Sequence, residues 1–456
     1  MSIFDMIFPM EREILHQLQH WKNNLNRKPL ILKGVRQVGK TYVLNEFGAT
    51  TFKISHYFNF EKEPKLAQIF EQDLNPVRIL QDLSLQRQTK IDYQNDLIIF
   101  DEIQACPQAL TSLKYFCENM PPGCLCCAGS LLGVYLGPVS YPVGKVEHLE
   151  MHPMSFIEFL KAIGDEMYVA LLNSLSTTSV IPILAHEHLW ERLKHYFIVG
   201  GLPEPVSLYV KHKNDLFTAF QKVRALQRNL LEDYFSDIAK HSGKLNAIHI
   251  HRIWQSVPEQ LGLSQDGSAR KFKFKNITPG IDRFAKLSNA IDWLETAGLI
   301  IKVYIAHQGL LPLRSYVQEN TFKLFMFDVG ILGAMSDLAP STILQYNYGS
   351  FKGYFAENYV AQAFIAGQSG QLFSWSENSS EVEFLRQVEG NLIPVEVKSG
   401  WVTQAKSLRV YAEKYKPPYR VIMSGKKLTI DNQAGVHNYP LYLASQFPMT
   451  PTTTSK

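Results

Sequence analysis

The sequence predicts an α/β fold, a parallel sheet covered by helices, followed by a helical region and a second α/β half. Three observations carry this. Short apolar runs alternate with helical patterns through the amino-terminal third, as in parallel sheets whose crossovers are helices. One of those runs opens into "KGVRQVGKTY", where four residues separate two glycines and lysine and threonine follow. Past "MHPMSFIEFL" the strands give way to helical segments, and mixed patterning returns from about Tyr346.

At 456 residues and 46% hydrophobic, the chain exceeds what one core holds, since single cores stop growing at about 250–300 residues. Several domains are therefore expected. Lys and Arg total 46 against 42 Asp and Glu, and a net +4 does not by itself announce a nucleic-acid partner, so any basic site must be local. The amino terminus lacks a basic leader region, and no segment approaches ~18 consecutive apolar residues. A soluble, cytoplasmic protein with no membrane partner is the expectation. The five cysteines all fall between Cys106 and Cys127, three of them in "GCLCCAG"; with no partner pair or adjacent His they read as reduced structural thiols rather than zinc ligands.

In order along the chain, apolar residues recur at helical spacing from Ile14 to Trp21, and "RKPLILKG" then gives a strand ending in a glycine loop. Further strands are expected at "FKISHYFNF", "DLIIF" and "CLCCAGS". Helices are expected at Leu189 to Ile198 and from Asp215 to about Ala239, in a lid-like region. From Asn246 to Met335 the pattern is helix, loop, helix, then "LIIKVYIAH", similar to a winged helix with Leu299 to Ile305 as a wing strand. The closing "TPTTTSK" is polar and expected to be disordered.

Gly34-x-x-x-x-Gly39-Lys40-Thr41 is a complete P-loop match with a strand before it and a helix after it. Through Gly34, Val35, Arg36, Gln37, Val38 and Gly39 the backbone can turn its N–H groups around phosphate oxygens at a helix N-terminus. Lys40 is placed to reach the β- and γ-phosphates and Thr41 to offer a hydroxyl to Mg²⁺. Such a site needs an acidic residue ending a neighbouring strand. "LIIFDEIQ" supplies Asp101, placed to hold Mg²⁺ through water, and Glu102, placed to act on the attacking water. Ser130, after the fourth strand, is either a polar sensor of the γ-phosphate or a strand-end turn serine.

Together "RKPLILKGVRQVGKTY", "LIIFDEIQACPQAL", "AGSLLG", "HPMSFIEFL", "YFIVGGLPEPV" and "FKLFMFDVGILGAM" resemble the prokaryotic AAA-type ATPases of the STAND and archaeal ATPase branch that carry an uncharacterised nuclease-like carboxy-terminal half. The resemblance implies ATP as the nucleotide, in keeping with the absence of a guanine-reading "NKxD" after the P-loop. It also implies that "GGLPEP", with Gly201 and Pro203, is the lid motif that approaches the nucleotide. Where relatives usually have Gly-Arg after the fourth strand, this chain has Gly144-Lys145, and lysine cannot make arginine's two-pronged contact.

In "SEVEFLRQVEGNLIPVEVKSG", Glu383 sits on one strand, a turn at Glu389 to Asn391 follows, and the next strand carries Glu396-Val397-Lys398. Alternation puts Glu396 and Lys398 on one face, with Val395 and Val397 pointing into the core. Two carboxylates and a lysine converge, as in a PD-(D/E)xK nuclease core, where carboxylates hold a divalent metal and the lysine works on a water. Glu357, in "GYFAENYVAQAF", resembles the further acidic residue such folds bring from a preceding helix. Relatives more often have Asp where Glu383 stands. A salt-bridged hairpin, or a nuclease fold without cleavage, is the alternative. The run "ARKFKFKN" at 269–276 alternates Lys271, Lys273 and Lys275 with Phe272 and Phe274, as a phosphate-contacting strand or a solvated strand over a core would.

The expected organisation is an AAA-type P-loop core over 1–160, a helical lid over 161–245, a winged-helix-like region over 246–340, an α/β PD-(D/E)xK nuclease-like domain over 341–445 and a disordered tail over 446–456. The expected function is Mg²⁺-dependent ATP binding and hydrolysis, acting as a nucleotide switch for a nucleic-acid-directed carboxy-terminal domain that holds a second Mg²⁺ or Mn²⁺. Its rival is an ATP-latched signalling or interaction scaffold that cuts nothing. The choice between DNA and RNA, and whether the chain forms a homo-oligomer, stay open.

Overall fold

The computed structural model describes residues 10–129, 140–263, 269–281, 283–345, 351–367, 370–401 and 405–449. It divides into two compact units, one built from residues 11–152 with 296–298, the other chiefly from residues 153–295 and from Leu299 onward.

The first unit is a parallel five-stranded sheet of β1 (Leu30–Gly34), β2 (Ser55–Asn59), β3 (Leu97–Asp101), β4 (Cys124–Ala128) and β5 (Glu147–Met151), in the order β2-β3-β4-β1-β5. β3 and β4 are buried at every position, which explains their unbroken apolar runs. Phe58, Phe60, Phe70 and Phe100 meet edge to face in the core beneath β2 and β3. The three β4 cysteines are buried free thiols, and burial pushes each thiol pKa upward, so they act as small apolar side chains.

One expectation is corrected here, and one strand is new. Asp101 does not end a strand adjacent to the P-loop strand: β4 lies between β1 and β3. The edge strand β5 was not foreseen, because only Met151 is fully buried, Leu149 and Glu147 are half-buried and His148 and Glu150 are exposed, which leaves little apolar signal.

The second unit begins with helices. Phe156–Ile163 carries a capping box in which Ser155 and Glu158 bond each other's backbone N–H groups. Ile183–Val199, Pro203–His212, Leu216–Ser242 and Lys244–Gly262 follow. A mixed eight-stranded sheet then forms from β6 (Ile300–Ala306), β7 (Val317–Met326), β8 (Leu372–Glu377), β9 (Ser380–Val388), β10 (Asn391–Val397), β11 (Arg420–Ser424), β12 (Thr429–Asp431) and β13 (Val436–Pro440), ordered β12-β13-β11-β10-β9-β8-β6-β7. The β9–β10 hairpin turns through Glu389 and Gly390, both at positive φ (49° and 82°), the conformation that twists a two-residue turn to match its strands. The helix Lys406–Tyr415 connects β10 to its parallel neighbour β11.

Three further expectations change. Leu299 to Ile305, expected as a wing strand, falls on β6 (Ile300–Ala306), which pairs antiparallel with β7 and parallel with β8, so the hairpin is part of the large sheet. The basic run at 269–276 forms no sheet strand and enters a turn at Lys275 and Asn276; one backbone bond, from Phe272 N–H to Phe322 O (2.8 Å), ties it to β7. Its alternation survives, with Phe272 buried and Lys271, Lys273 and Lys275 exposed. Residues 446 and 447, expected in the tail, are placed: Gln446 ends a short helix, and Phe447 is buried against Phe364 and Tyr439. Residues 450–456 lie outside the described residues.

Candidate functional site

β1 delivers the chain into the phosphate loop at Gly34, where φ is 151° and a Cβ would stand 2.3 Å from the Met151 carbonyl oxygen. Only glycine permits that approach to β5. Gln37 (φ 66°) and Gly39 (φ 96°) complete the turn, and Gly39 caps the helix Lys40–Thr51. Val35 and Val38 are buried and anchor the loop, while Arg36 is half-exposed and Gln37 exposed. Arg12, also buried, clamps the loop by donating to Val38 O (2.9 Å) and His152 O (2.7 Å).

Lys40 is buried and donates through Nζ to the carbonyls of Gly34 (2.8 Å) and Val35 (2.9 Å). Burial lowers its pKa to about 8, against the opposing pull of Glu102 and Asp101. Thr41 Oγ1 donates to Asp101 Oδ2 at 3.0 Å, so the hydroxyl and carboxylate expected to share Mg²⁺ are already together. Glu102 sits at φ 50° just past β3, with its N–H on Asp101 Oδ1 (3.0 Å) and its carboxylate hydrogen-bonded by Gln104. A hydroxyl beside a carboxylate is hard oxygen chemistry that suits Mg²⁺.

Sequence reasoning missed Tyr57 and Asn59. Tyr57 OH donates to Asp101 Oδ2 at 2.5 Å, and Asn59 Nδ2 reaches the same oxygen at 3.3 Å. Burial and that bond push the Tyr57 pKa upward, so it stays a donor. The signal was present in "HYFNF": polar residues two apart flank a buried Phe58, and the register sets Asn59 beside Asp101.

Ser130 lies outside the described residues. Pro203 opens the helix Pro203–His212 and is half-buried. Before it, Gly200 turns at φ 73°, and Gly201 N–H donates to the buried Asp328 carboxylate (2.7 Å). A Cβ on Gly201 would stand 2.3 Å from Met154 O. Close packing within the second unit therefore accounts for both glycines. Lys145 pairs with Glu118 at 3.0 Å.

In the second unit Glu357, Glu383, Glu396 and Lys398 do come together, and the structure adds Lys323 and Glu381. The helix Phe351–Gly367 is fixed to β7 by Asn358, whose side chain bonds both the N–H (2.7 Å) and the carbonyl (2.9 Å) of Met326. That aims Glu357 at Lys323 (3.8 Å), which also pairs with Glu381. Across the hairpin Lys398 Nζ meets Glu396 Oε1 at 2.6 Å, and Glu383 Oε2 accepts from Val397 N–H at 3.4 Å. Both faces of β10 are buried here, Glu396 as well as Val395 and Val397. The opening is at Lys398 and Glu381, whose side chains are 30% and 38% exposed.

Burial raises Glu357 and Glu383 above the ordinary carboxylate range, and the charges of Glu396 and Glu357 push Glu383 further. Burial pulls Lys398 and Lys323 down, but the surrounding carboxylates outweigh it and hold both charged. Among the described residues no three His, Cys, Asp or Glu side chains stand as a ready metal-ligand set. One atom does fit a cation: Glu396 Oε2 is buried without a hydrogen-bond partner. All-carboxylate donors would suit Mg²⁺ or Mn²⁺.

Among the described residues no helix is long and apolar enough to cross a membrane. Residues 26–160 match the family model described as an AAA domain. Residues 190–342 and 352–443 match two models described only as domains of unknown function. No curated protein matches the chain. Among solved structures, it is similar to the Walker-type ATPase of Pyrococcus abyssi at 14% identity, covering 72% of this chain and 95% of that one with a TM-score of 0.44. It is similar also to the ORC1 protein of Aeropyrum pernix solved in complex with DNA (14% identity, 74% and 95% covered, TM-score 0.31) and to the RuvB Holliday junction branch migration motor of Thermotoga maritima (13% identity, 66% and 91% covered, TM-score 0.30).

Proposed function

We propose that the chain binds and hydrolyses ATP with Mg²⁺ and that nucleotide state controls a nucleic-acid-directed, nuclease-like carboxy-terminal site. The observation that carries the first part is the Thr41–Asp101 contact beside the buried Lys40. On binding, Lys40 exchanges the Gly34 and Val35 carbonyls for phosphate oxygens, and the loop N–H groups and the start of the helix Lys40–Thr51 hold the remaining charge. Mg²⁺ held by Thr41 and, through water, Asp101 would neutralise charge on the β- and γ-phosphates. Tyr57 and Asn59 keep Asp101 facing Thr41, and Glu102 orients the attacking water and accepts its proton. A magnesium titration of phosphate release tests this part: Asp101→Asn should abolish the magnesium-dependent rise, and a wild-type profile in that variant would refute the assignment.

In the carboxy-terminal site Glu357, Glu383 and Glu396 are the proposed ligands of Mg²⁺ or Mn²⁺, and Lys398 positions a water against a phosphodiester. Calorimetry of Mn²⁺ with wild-type chain and with Glu396→Gln tests it. Binding only in the wild type supports the site, and no binding in either refutes it. One observation favours a second reading, an ATP-latched scaffold with an inactive nuclease-like fold: Lys323 and Lys398 already neutralise part of the carboxylate charge.

A further inference from the structure

Resting on the nuclease-like reading above, we infer that the basic segment 269–275 and the buried carboxylate–lysine cluster are two halves of one nucleic-acid site. The join is Glu357. Its carboxylate accepts the buried backbone N–H of Ala269, at 3.1 Å to Oε1 and 3.2 Å to Oε2, so the residue that starts the basic segment is bonded to a proposed metal ligand. From there the chain runs along β7. Phe272 N–H bonds Phe322 O, and Phe272, Phe274, Phe284 and Phe322 pack as one aromatic group. The next residue on β7, Lys323, enters the cluster and pairs with Glu357 and Glu381. Gln260 holds the segment from the other side, accepting from Lys273 N–H (2.8 Å) and donating to Lys273 O (2.9 Å).

This anchoring buries Phe272, half-buries Phe274 and leaves Lys271, Lys273 and Lys275 exposed, with Arg270, Lys271 and Lys273 lining a cleft beside Val257, Leu261 and Leu324. Because Phe272 is buried and Phe274 packs against Phe272, Phe284 and Phe322, what the segment presents is its row of lysines, which reads phosphate charge. The occupant is a nucleic-acid strand. An acidic peptide would meet the same lysines, but its carboxylates would then approach Glu381 and the buried glutamates. A phosphodiester strand brings a charge at every residue along the row of lysines, and its oxygens can share a divalent cation with the Glu396 carboxylate. Nucleic-acid affinity on this site therefore rises with Mn²⁺, whereas simple charge attraction does not.

The test uses the full-length chain, labelled single-stranded DNA, duplex DNA and RNA, and fluorescence anisotropy across a salt series in Mn²⁺ or EDTA. The Lys271→Gln, Lys273→Gln, Lys275→Gln triple variant should lower the salt slope by about two to three units, at about 0.7–0.9 per phosphate contact. It should leave calorimetric Mn²⁺ binding and basal ATP hydrolysis unchanged. Mn²⁺ should tighten wild-type binding, and Glu396→Gln should remove that gain. The ligand with the steepest slope identifies the nucleic acid. An unchanged slope in the triple variant, or polyglutamate competing equally in Mn²⁺ and EDTA, overturns the inference while Mn²⁺ binding leaves the nuclease-like reading standing. No calorimetric Mn²⁺ binding in the wild type overturns both.

Discussion

Asp101 Oδ2 accepts from Thr41, Tyr57 and Asn59, so the carboxylate has a fixed orientation before any metal arrives. Removing one donor should loosen that orientation without removing the ligand. Tyr57→Phe is expected to raise the Mg²⁺ concentration for half-maximal phosphate release, with the rate at saturating Mg²⁺ less affected. Its stability cost is about 1.5 kcal/mol or less, since the bond goes to a charged acceptor but is only part-buried. Lys40 gives a pH prediction of defined sign. With its pKa lowered to about 8 in the nucleotide-free chain, rising pH removes the charge that ATP needs, so affinity should fall above about pH 8 and binding there should take up a proton. An affinity flat from pH 7 to about 9.5 would contradict that placement of Lys40. Glu357 and Glu383 work in the opposite direction. Held above the ordinary carboxylate range, they bind more protons folded than unfolded, so their stabilising contribution is present at low pH and is lost as pH rises through the raised values. Mn²⁺ must displace those protons, and its affinity should therefore increase with pH, with proton release measurable by calorimetry in buffers of different ionisation enthalpy.

At the scale of elements, the approach of the phosphate loop to β5 is the tightest constraint. Gly34→Ala would drive a Cβ into the Met151 backbone oxygen, which cannot swing away as a side chain could. We expect a loss of about 1–3 kcal/mol in denaturant unfolding together with loss of ATP binding. β5 itself was the part of this arrangement that the sequence hid, because an edge strand half in water carries Glu and His where a central strand carries an apolar run. The P-loop, β3 with Asp101, and the β9–β10 hairpin were legible for the reverse reason: local spacing and turn chemistry define each. Tyr57, Lys323 and Glu381 were not: Tyr57 reaches Asp101 through the pairing of β2 with β3, and Lys323 meets Glu381 only once β6, the hairpin partner of β7, adds to β8, the hairpin partner of β9. The β6–β7 hairpin looked like a wing because its own residues pair locally, and nothing local announces that β8 will add to its other edge.

At the scale of the whole molecule, one unit carries the phosphate loop, within the segment that matches the AAA domain model, and the other a buried cluster of carboxylates and lysines. Coupling between them requires nucleotide state to have different affinities for two arrangements of the chain. If it does, a non-hydrolysable ATP analogue should shift nucleic-acid affinity or Mn²⁺-dependent cleavage, and by linkage nucleic acid should shift analogue affinity by the same factor. That coupling has meaning only if the P-loop site turns ATP over as assigned. The most direct test compares nucleotide binding and phosphate release in wild-type chain, Lys40→Ala and Glu102→Gln. The account predicts Mg²⁺-dependent release by the wild type, lost ATP binding in Lys40→Ala, and retained binding with at least about a hundred-fold slower release in Glu102→Gln. Wild-type release by Glu102→Gln, or wild-type ATP affinity in Lys40→Ala, would contradict it.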